Sequence, residues 1–412
     1  MKLELIKEHC PEGWQSSVLG KESKVSNNLR FPISTAQRKY MQGSYPYYGP
    51  TKALDYINEY RVEGTYVLIS EDGDHFLKYR EVPMTLLVSG KFNVNNHAHL
   101  IQGTDRCLTR WIYYFYTHTS LQTHITRQGA GRFKLTQDAL LKLPILVPPV
   151  REQEIVIEIL SQWDMAIEQT KKLITAKVIR KRGLMQQLLT GKKRFAEFGK
   201  DNGAHLTKFG AMPNDWAYVS IEDIAHEVST KNGNGKKLTV LSCSKHRGLV
   251  RSLEYFGKQV FSEDTSTYKV VKRNQFAYAT NHIEEGSIGY QNICDEALIS
   301  PMYTVFETCS SVDDSFFYKL LKTELYRHIF EVNTSASVDR RGSLRWKEFS
   351  KIKVALPSLE EQRRIAAVIE TCDQEIELLR KQLAALKRQK RGLMQKLLTG
   401  QIRVKVAQEA AS

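Results

Sequence analysis

Ten residues near the middle of the chain, Arg182 to Gly191 (RGLMQQLLTG), return as Arg391 to Gly400 (RGLMQKLLTG) with nine of the ten unchanged. The copies lie 209 residues apart, far beyond the 20 to 50 residues or so at which solenoid units recur. Extending the register backwards without a gap pairs Arg151-Glu152-Gln153 with Glu360-Glu361-Gln362, Pro148 with Pro357 and Asp164 with Asp373, so roughly fifty residues are duplicated. Two large modules of one plan, joined head to tail, are the consequence.

Apolar positions in the second copy step by alternating four and three: Ile365, Ile369, Cys372, Ile376, Leu379, Leu383, Leu386, Lys390, Leu393, Leu397. That is a heptad seam. The first copy matches it from Val156 through Leu160, Trp163, Ile167, Thr170, Ile174, Lys177, Lys181 and Leu184 to Leu188, more weakly in the middle. Each copy follows prolines (Pro148-Pro149; Pro357) and stops at Thr-Gly, as helices commonly start and end. A helix from Glu152 to Leu189 would be roughly 57 Å long. Both copies are acidic in the first half (Glu152 to Glu168; Glu360 to Glu377) and basic in the second (Lys171 to Arg182; Arg380 to Arg391). Antiparallel packing sets acidic halves against basic ones. The alternative is that each polarity complements its own helix dipole, but pairing accounts for the seam as well.

The rest of the chain divides around these helices. A globular region occupies 1–150, the first helix 151–197, a polar glycine-bearing linker 198–210, a second globular region 211–357, the second helix 358–403 and a tail 404–412. Both globular regions open alike, with Pro11-x-x-Trp14 and Pro213-x-x-Trp216. They alternate β-rich runs such as Thr65 to Ser70 with turn signals and helical patterns, which reads as mixed α/β. The expected fold is two mixed α/β domains separated by two long helices in an antiparallel coiled coil, with pseudo-two-fold symmetry. Sixty Lys plus Arg against 45 Asp plus Glu give a formal charge of +15, which favours a polyanionic partner such as nucleic acid. The start has no basic region followed by an apolar run, and no 18-residue apolar stretch follows, so a cytoplasmic chain with no membrane partner is expected. Six scattered cysteines without a C-x-x-C pair fit a reducing compartment and argue against structural zinc.

The Pro148-x-x-Arg151-Glu152-Gln153 and Pro357-x-x-Glu360-Glu361-Gln362 segments, with the closing RGLMQ(Q/K)LLTG, resemble the two conserved regions of the type I restriction-modification specificity subunit. The resemblance covers the whole chain in the family's order of recognition domain, helix, recognition domain, helix. It implies a non-catalytic subunit in which each domain binds one half of an asymmetric, bipartite, double-stranded DNA target. The helices would set the spacing and dock two modification subunits, which carry adenine-N6 methyltransferase activity; restriction subunits for translocation and cleavage would join them. S-adenosylmethionine, ATP and Mg are then expected on the partners, and no cofactor on this chain. Tyr47-Tyr48-Gly49, Asp72-Gly73, Val94 to His99 and Gln128 to Phe133 resemble target-recognition signatures in the first domain, as do Tyr278 to Gly289 and Ile299 to Tyr303 in the second.

Arg reads guanine, Asn and Gln read adenine, and Lys, Ser, Thr and His supplement them from turn-rich loops. Candidates for DNA contact are Asn95, Asn96, His97, Gln128 and Arg132 in the first domain. In the second they are Lys245, Arg247, Asn281, His282, Ser287, Arg340, Arg341, Ser343 and Arg345. Any of them can equally be an ordinary solvated loop residue or part of a hydrogen-bonded turn. His97 and His99 stand two apart without a third ligand, more often a strand pattern than a metal site. Gly129-x-Gly131 lacks the third glycine of a dinucleotide fingerprint, and neither a Walker A loop nor an Asp- or Asn-Pro-Pro-aromatic methyltransferase motif occurs. The basic ends Lys192-Lys193-Arg194 and Lys387-Arg388 are either phosphate contacts or solvated runs. Competing readings are an autonomous DNA-modifying enzyme with an unrecognised site, which would act without partners, and a coiled-coil adaptor binding only proteins, which would ignore DNA.

Overall fold

A computed structural model describes residues 10–127, 132–199, 203–207, 210–233, 235–334 and 343–405. Two long helices, Val150–Leu188 and Leu359–Leu398, run through two compact units. The first unit takes in the chain up to Lys172 and again from Arg380; the second is Leu173–Leu379. The border therefore falls within the helices, and each unit contains the beginning of one helix and the end of the other. None of the described helices is long and apolar enough to cross a membrane.

Within each unit the helix segments pair antiparallel. In the first, Asp164 meets Lys390; in the second, Lys177 meets Glu375 and Lys181 meets Asp373. Earlier residues of one helix face later residues of the other throughout. All twenty seam positions are at least partly shielded from solvent, although most helix residues around them are exposed. Partly exposed ion pairs contribute at most about 1 kcal/mol each, so apolar burial holds the helices and the charges select direction and register.

The units share a construction. In the first, Gln15–Val18 pairs antiparallel with Pro144–Val147, joining the opening of the domain to the strand that feeds the first helix. In the second, Ala217–Ser220 pairs in the same way with Lys353–Leu356 before the second helix. The first core gathers Trp14, Trp111 and Phe115 with Val156 and Leu160 from the start of the first helix and Met394, Leu397 and Leu398 from the end of the second. The second core mirrors this, with Trp216, Phe306 and Phe317 against Leu188, Leu189, Ile365 and Ile369. Around the cores the domains differ. The first carries a six-stranded sheet in the order Ser23–Val25, Ala98–Gly103, Val62–Ser70, Thr85–Val94, Gln42–Tyr48, Ala53–Ile57. The second has a four-stranded antiparallel sheet, Ala225–Val228, Tyr303–Thr308, Phe276–Ala279, Ile288–Tyr290, and several two-stranded ribbons. The second half of the expected 198–210 linker is structured as well: Ala204–Thr207 forms a hairpin with Gly210–Pro213.

Three repeated signals acquire a physical role. Gln153 and Gln362 are buried and serve as staples. The Gln153 amide donates to the carbonyls of Pro148 and Arg106 and accepts from the Leu108 N–H. Gln362 donates to Pro357 and Ser311 and accepts from Asp313. Glu152 and Glu361 are 2% and 1% exposed, and each receives an arginine from the segment just beyond the other helix. Arg403 grips Glu152 through Nε and Nη2 (2.6 and 2.8 Å); Arg194 grips Glu361 likewise (2.9 and 2.8 Å). Trp14 and Trp216 donate their indole N–H to the same carboxylates and lie beneath the guanidinium groups. Arg194 is thus neither a phosphate contact nor a solvated residue but bridges two carboxylates, buried Glu361 and the more exposed Asp215, which it holds through Nη1 and Nη2 (2.7 Å each).

The final glycine of the repeat ends each helix. Gly191 and Gly400 both have φ +70°, and a Cβ would lie 2.5 Å from Pro213 Cγ and 2.3 Å from Pro11 Cγ respectively. A left-handed residue other than glycine costs about 1–2 kcal/mol, and overpacking adds about 1–3 kcal/mol. Gly191→Ala and Gly400→Ala are each expected to destabilise their own unit by about 2–5 kcal/mol, read by calorimetry as a lowered midpoint of one of two unfolding transitions.

Candidate nucleic-acid interface

In the first unit, two loops and a short strand converge. The turn 95–97 links strands Thr85–Val94 and Ala98–Gly103, the loop 71–73 follows Val62–Ser70, and the short strand Phe133–Lys134 is tied to that loop. The ties are the Gly73 N–H to the Phe133 carbonyl (3.0 Å), the Leu135 N–H to the Glu71 carbonyl (2.7 Å) and the Glu71 N–H to the His97 carbonyl (2.8 Å). Of the sequence candidates, Asn96, His97 and Arg132 are exposed at this junction. His97 Nδ1 lies 2.7 Å from Asp72 Oδ2, which orients the ring. Asn95 is 8% exposed; its side-chain oxygen accepts from the His97 N–H and shapes the turn, so it supports the loop instead of presenting a reading edge. Gln128 lies outside the described residues, as do Gly129 and Gly131.

Sequence reasoning missed the cations that assemble this junction. Arg30 binds Glu71 (2.6 Å) and the Asn96 carbonyl (3.0 Å), and Lys134 reaches Glu71 at 3.4 Å. Arg127, on the hairpin strand opposite Phe133, is exposed. Beneath the junction His99 is buried, 1% exposed. Its Nε2 donates to the Leu135 carbonyl (2.9 Å), which leaves Nδ1 to accept from Asn27 Nδ2 (3.0 Å). Both ring nitrogens are occupied in this neutral tautomer. Burial pushes the His99 pKa down, against the opposing pull of the Leu135 hydrogen bond and Glu71. Burial lowers His75 and His118 of the same unit too. Each binds a proton more readily unfolded than folded. Their stabilisation is therefore complete above the unfolded value near 6.5 and is lost as pH falls through the lower folded value. Thermal melting between pH 7.5 and 5 should show the first unit's transition falling through this window.

In the second unit the 245–247 turn of the Leu241–Ser244/Gly248–Arg251 hairpin meets the loop 280–287, which joins Phe276–Ala279 to Ile288–Tyr290. Lys322 is the clasp: its ammonium donates to the Lys245 carbonyl (2.8 Å) and the Gly286 carbonyl (2.7 Å), and burial pushes its pKa down. Lys245, Arg247 and His282 are exposed and Asn281 is half-buried. The Leu344 N–H donates to the Thr280 carbonyl (2.9 Å), which anchors Ser343 and exposed Arg345 beside the same loop. Ser287 is 8% exposed, with its backbone closing the loop onto Ala279 and His282, and is a loop-forming residue. Arg340 and Arg341 lie outside the described residues. His282, Glu284 and Glu285 offer ligand atoms within 4.8 Å of one another, but Glu285 already faces Lys245 (3.8 Å) and His282 (3.5 Å).

Each unit thus presents a loop cluster rich in Arg, Lys, Asn and His on a rigid sheet, which is the chemistry of phosphate and base-edge contact. The two clusters share no sequence pattern although the two long helices do.

Comparison with known proteins fits this division. The family model described as the type I restriction modification DNA specificity domain matches residues 11–176 and again 213–388. The chain is 24% identical over 415 residues to the type I restriction enzyme MjaVIII specificity subunit of Methanocaldococcus jannaschii, covering 96% of this chain and 94% of that protein. A Haemophilus influenzae protein named among such subunits, S.HindORF215P, is 32% identical over 158 residues, 38% of this chain and 39% of that protein. The crystal structure of a type I restriction-modification S subunit from M. genitalium superposes with a TM-score of 0.57 at 15% identity, covering 93% of this chain and 96% of that one. With the family's domain present twice and spanning both units, the chain belongs to the type I restriction-modification DNA specificity family.

Proposed function

We propose that this chain is the DNA specificity subunit of a type I restriction-modification complex and that each unit reads one half of a bipartite duplex target. The observation that carries the reading is the contrast between a duplicated frame, with the same staples, clamps and helix ends, and two dissimilar exposed loop clusters. An asymmetric split target needs that combination. The helices keep the half-sites at a fixed spacing and dock two methyltransferase subunits, which bring S-adenosylmethionine; restriction subunits bring ATP- and Mg-dependent cleavage. Within this chain the proposed roles are binding and orientation of DNA: Asn96, His97 and Arg132 at one half-site, and Lys245, Arg247, Asn281, His282, Ser343 and Arg345 at the other.

Genomic methylation mapped in cells that carry this chain with its modification subunit should reveal one bipartite motif, and the purified chain alone should transfer no methyl group. Methyl transfer by the chain alone would support the autonomous enzyme, and indifference to DNA the protein-only adaptor. Arg132→Ala is expected to relax one half of the motif by about 1–3 kcal/mol of discrimination, with the other half unchanged. Equal loss at both halves would contradict separate reading heads.

A further inference from the structure

The two copies of RGLMQ(Q/K)LLTG each line a groove, and they share four lining side chains. In the first unit a cavity of about 530 Å³ is bordered by Arg391, Met394, Gln395 and Leu398 on one side and by Arg80, Tyr114 and Phe115 on the other. In the second unit a cavity of about 700 Å³ is bordered by Arg182, Met185, Gln186 and Leu189, opposite Met212, Leu320 and Tyr326. Arg, Met, Gln and Leu occupy corresponding repeat positions in both. The single position at which the copies differ, Gln187 and Lys396, lines neither. Core packing explains Leu188 and Leu397, which are buried. It does not explain Arg182, Gln186, Arg391 and Gln395, which are exposed and yet unchanged.

Charge specifies the occupant. Arg80, Arg388 and Arg391 border the first groove with no carboxylate among its lining residues. Arg182 and Lys192 border the second; its other charged lining groups are engaged within the chain, Lys181 with Asp373, Lys322 with the Lys245 and Gly286 carbonyls and Glu324 with Arg327. The floors are apolar, formed by Met, Leu and aromatic side chains. A DNA backbone would satisfy the cations and leave the floors uncovered. A protein segment with carboxylates flanking apolar side chains satisfies both, the arginine taking a carboxylate in two-pronged fashion and the floor burying the apolar residues.

We infer that the two grooves are equivalent docking sites for one acidic, apolar segment supplied by two copies of the same partner protein. This rests on the proposed function, which makes that partner the modification subunit. It goes further by assigning the site, the chemistry of the segment and one groove per copy.

The test uses the full chain in complex with its modification subunit and target duplex, with a benzophenone photo-cross-linking residue at position 186 or, separately, 395. Both positions are expected to label one and the same peptide of the modification subunit, containing Asp or Glu. Labelling of DNA, labelling of two unrelated peptides, or no labelling in an intact complex would overturn the inference while leaving the function standing. Failure of the unaltered chain to bind any modification subunit would overturn both. In parallel, Arg182→Glu and Arg391→Glu should each reduce the bound modification subunits from two to one by native mass spectrometry, and the double variant should bind none. Retention of two copies in the single variants overturns the assignment. Unchanged circular dichroism and melting of these exposed-site variants separates lost docking from lost folding.

Discussion

Arg194→Ala should lower the unfolding transition of the second unit by roughly 10 °C and leave that of the first unit in place. Glu361 is 1% exposed, and its carboxylate depends on the Arg194 fork and the Trp216 N–H. Removing one partner of a buried pair strands the other charge and costs about 3–5 kcal/mol. For a unit of about 200 residues, each kcal/mol moves the midpoint by about 2–4 °C. Arg403→Ala is the matching change in the first unit. Its effect should be smaller, because Arg403 is 42% exposed against 10% for Arg194 and water can approach Glu152 once it is gone. Arg194→Lys should recover only part of the loss, since one ammonium cannot reproduce two aligned donors. Differential scanning calorimetry of the three variants reads all of this; a shift in both transitions together would show that the clamps do not act unit by unit.

Insertion of seven residues into one long helix alone should abolish specific DNA recognition, whereas matched insertions in both should preserve it with an altered spacing. The reason lies in the antiparallel register. Asp164–Lys390 belongs to the first unit, and Lys177–Glu375 and Lys181–Asp373 to the second. Insertions between Lys172 and Leu173 and between Leu379 and Arg380 fall on the border of the units and leave every one of these pairs intact. A heptad keeps the apolar seam on its face, so the lengthened helices can still pair. A single insertion lengthens one helix only, and the seam of one unit must then slip or break.

The duplicated frame was legible in the sequence because it is periodic and local: the heptad seam from Ile365 to Leu397, the Thr-Gly stops and the repeated Glu-Gln are visible without knowing any contact. The charge halves gave the antiparallel sense, which Asp164–Lys390 and Lys181–Asp373 bear out. The clamps were not legible. Arg194 and Arg403 meet carboxylates 167 and 251 residues away, and no spacing rule connects a residue beyond one helix to the start of the other. Topology was hidden for the same reason: Val25 pairs with Ile101, and such non-local registers leave no periodic trace. Among the candidate readers, composition separated loop from core poorly. Asn95 and Ser287 belong to turn-rich segments and have reading chemistry, but both are buried by the loops they shape. Arg30, which joins two of the loops at the first cluster, stands more than forty residues before Glu71 and outside any motif.

What we propose is that each unit reads its own half-site and that the paired helices set the spacing, and the methylation motif of the doubly inserted chain tests it most directly. Seven residues add about 10.5 Å of helix, and duplex DNA rises about 3.4 Å per base pair. The account predicts a bipartite motif with both half-sites unchanged and a spacer longer by one to about three base pairs. An unchanged spacer in a methylation-competent variant, or altered half-sites, would contradict it.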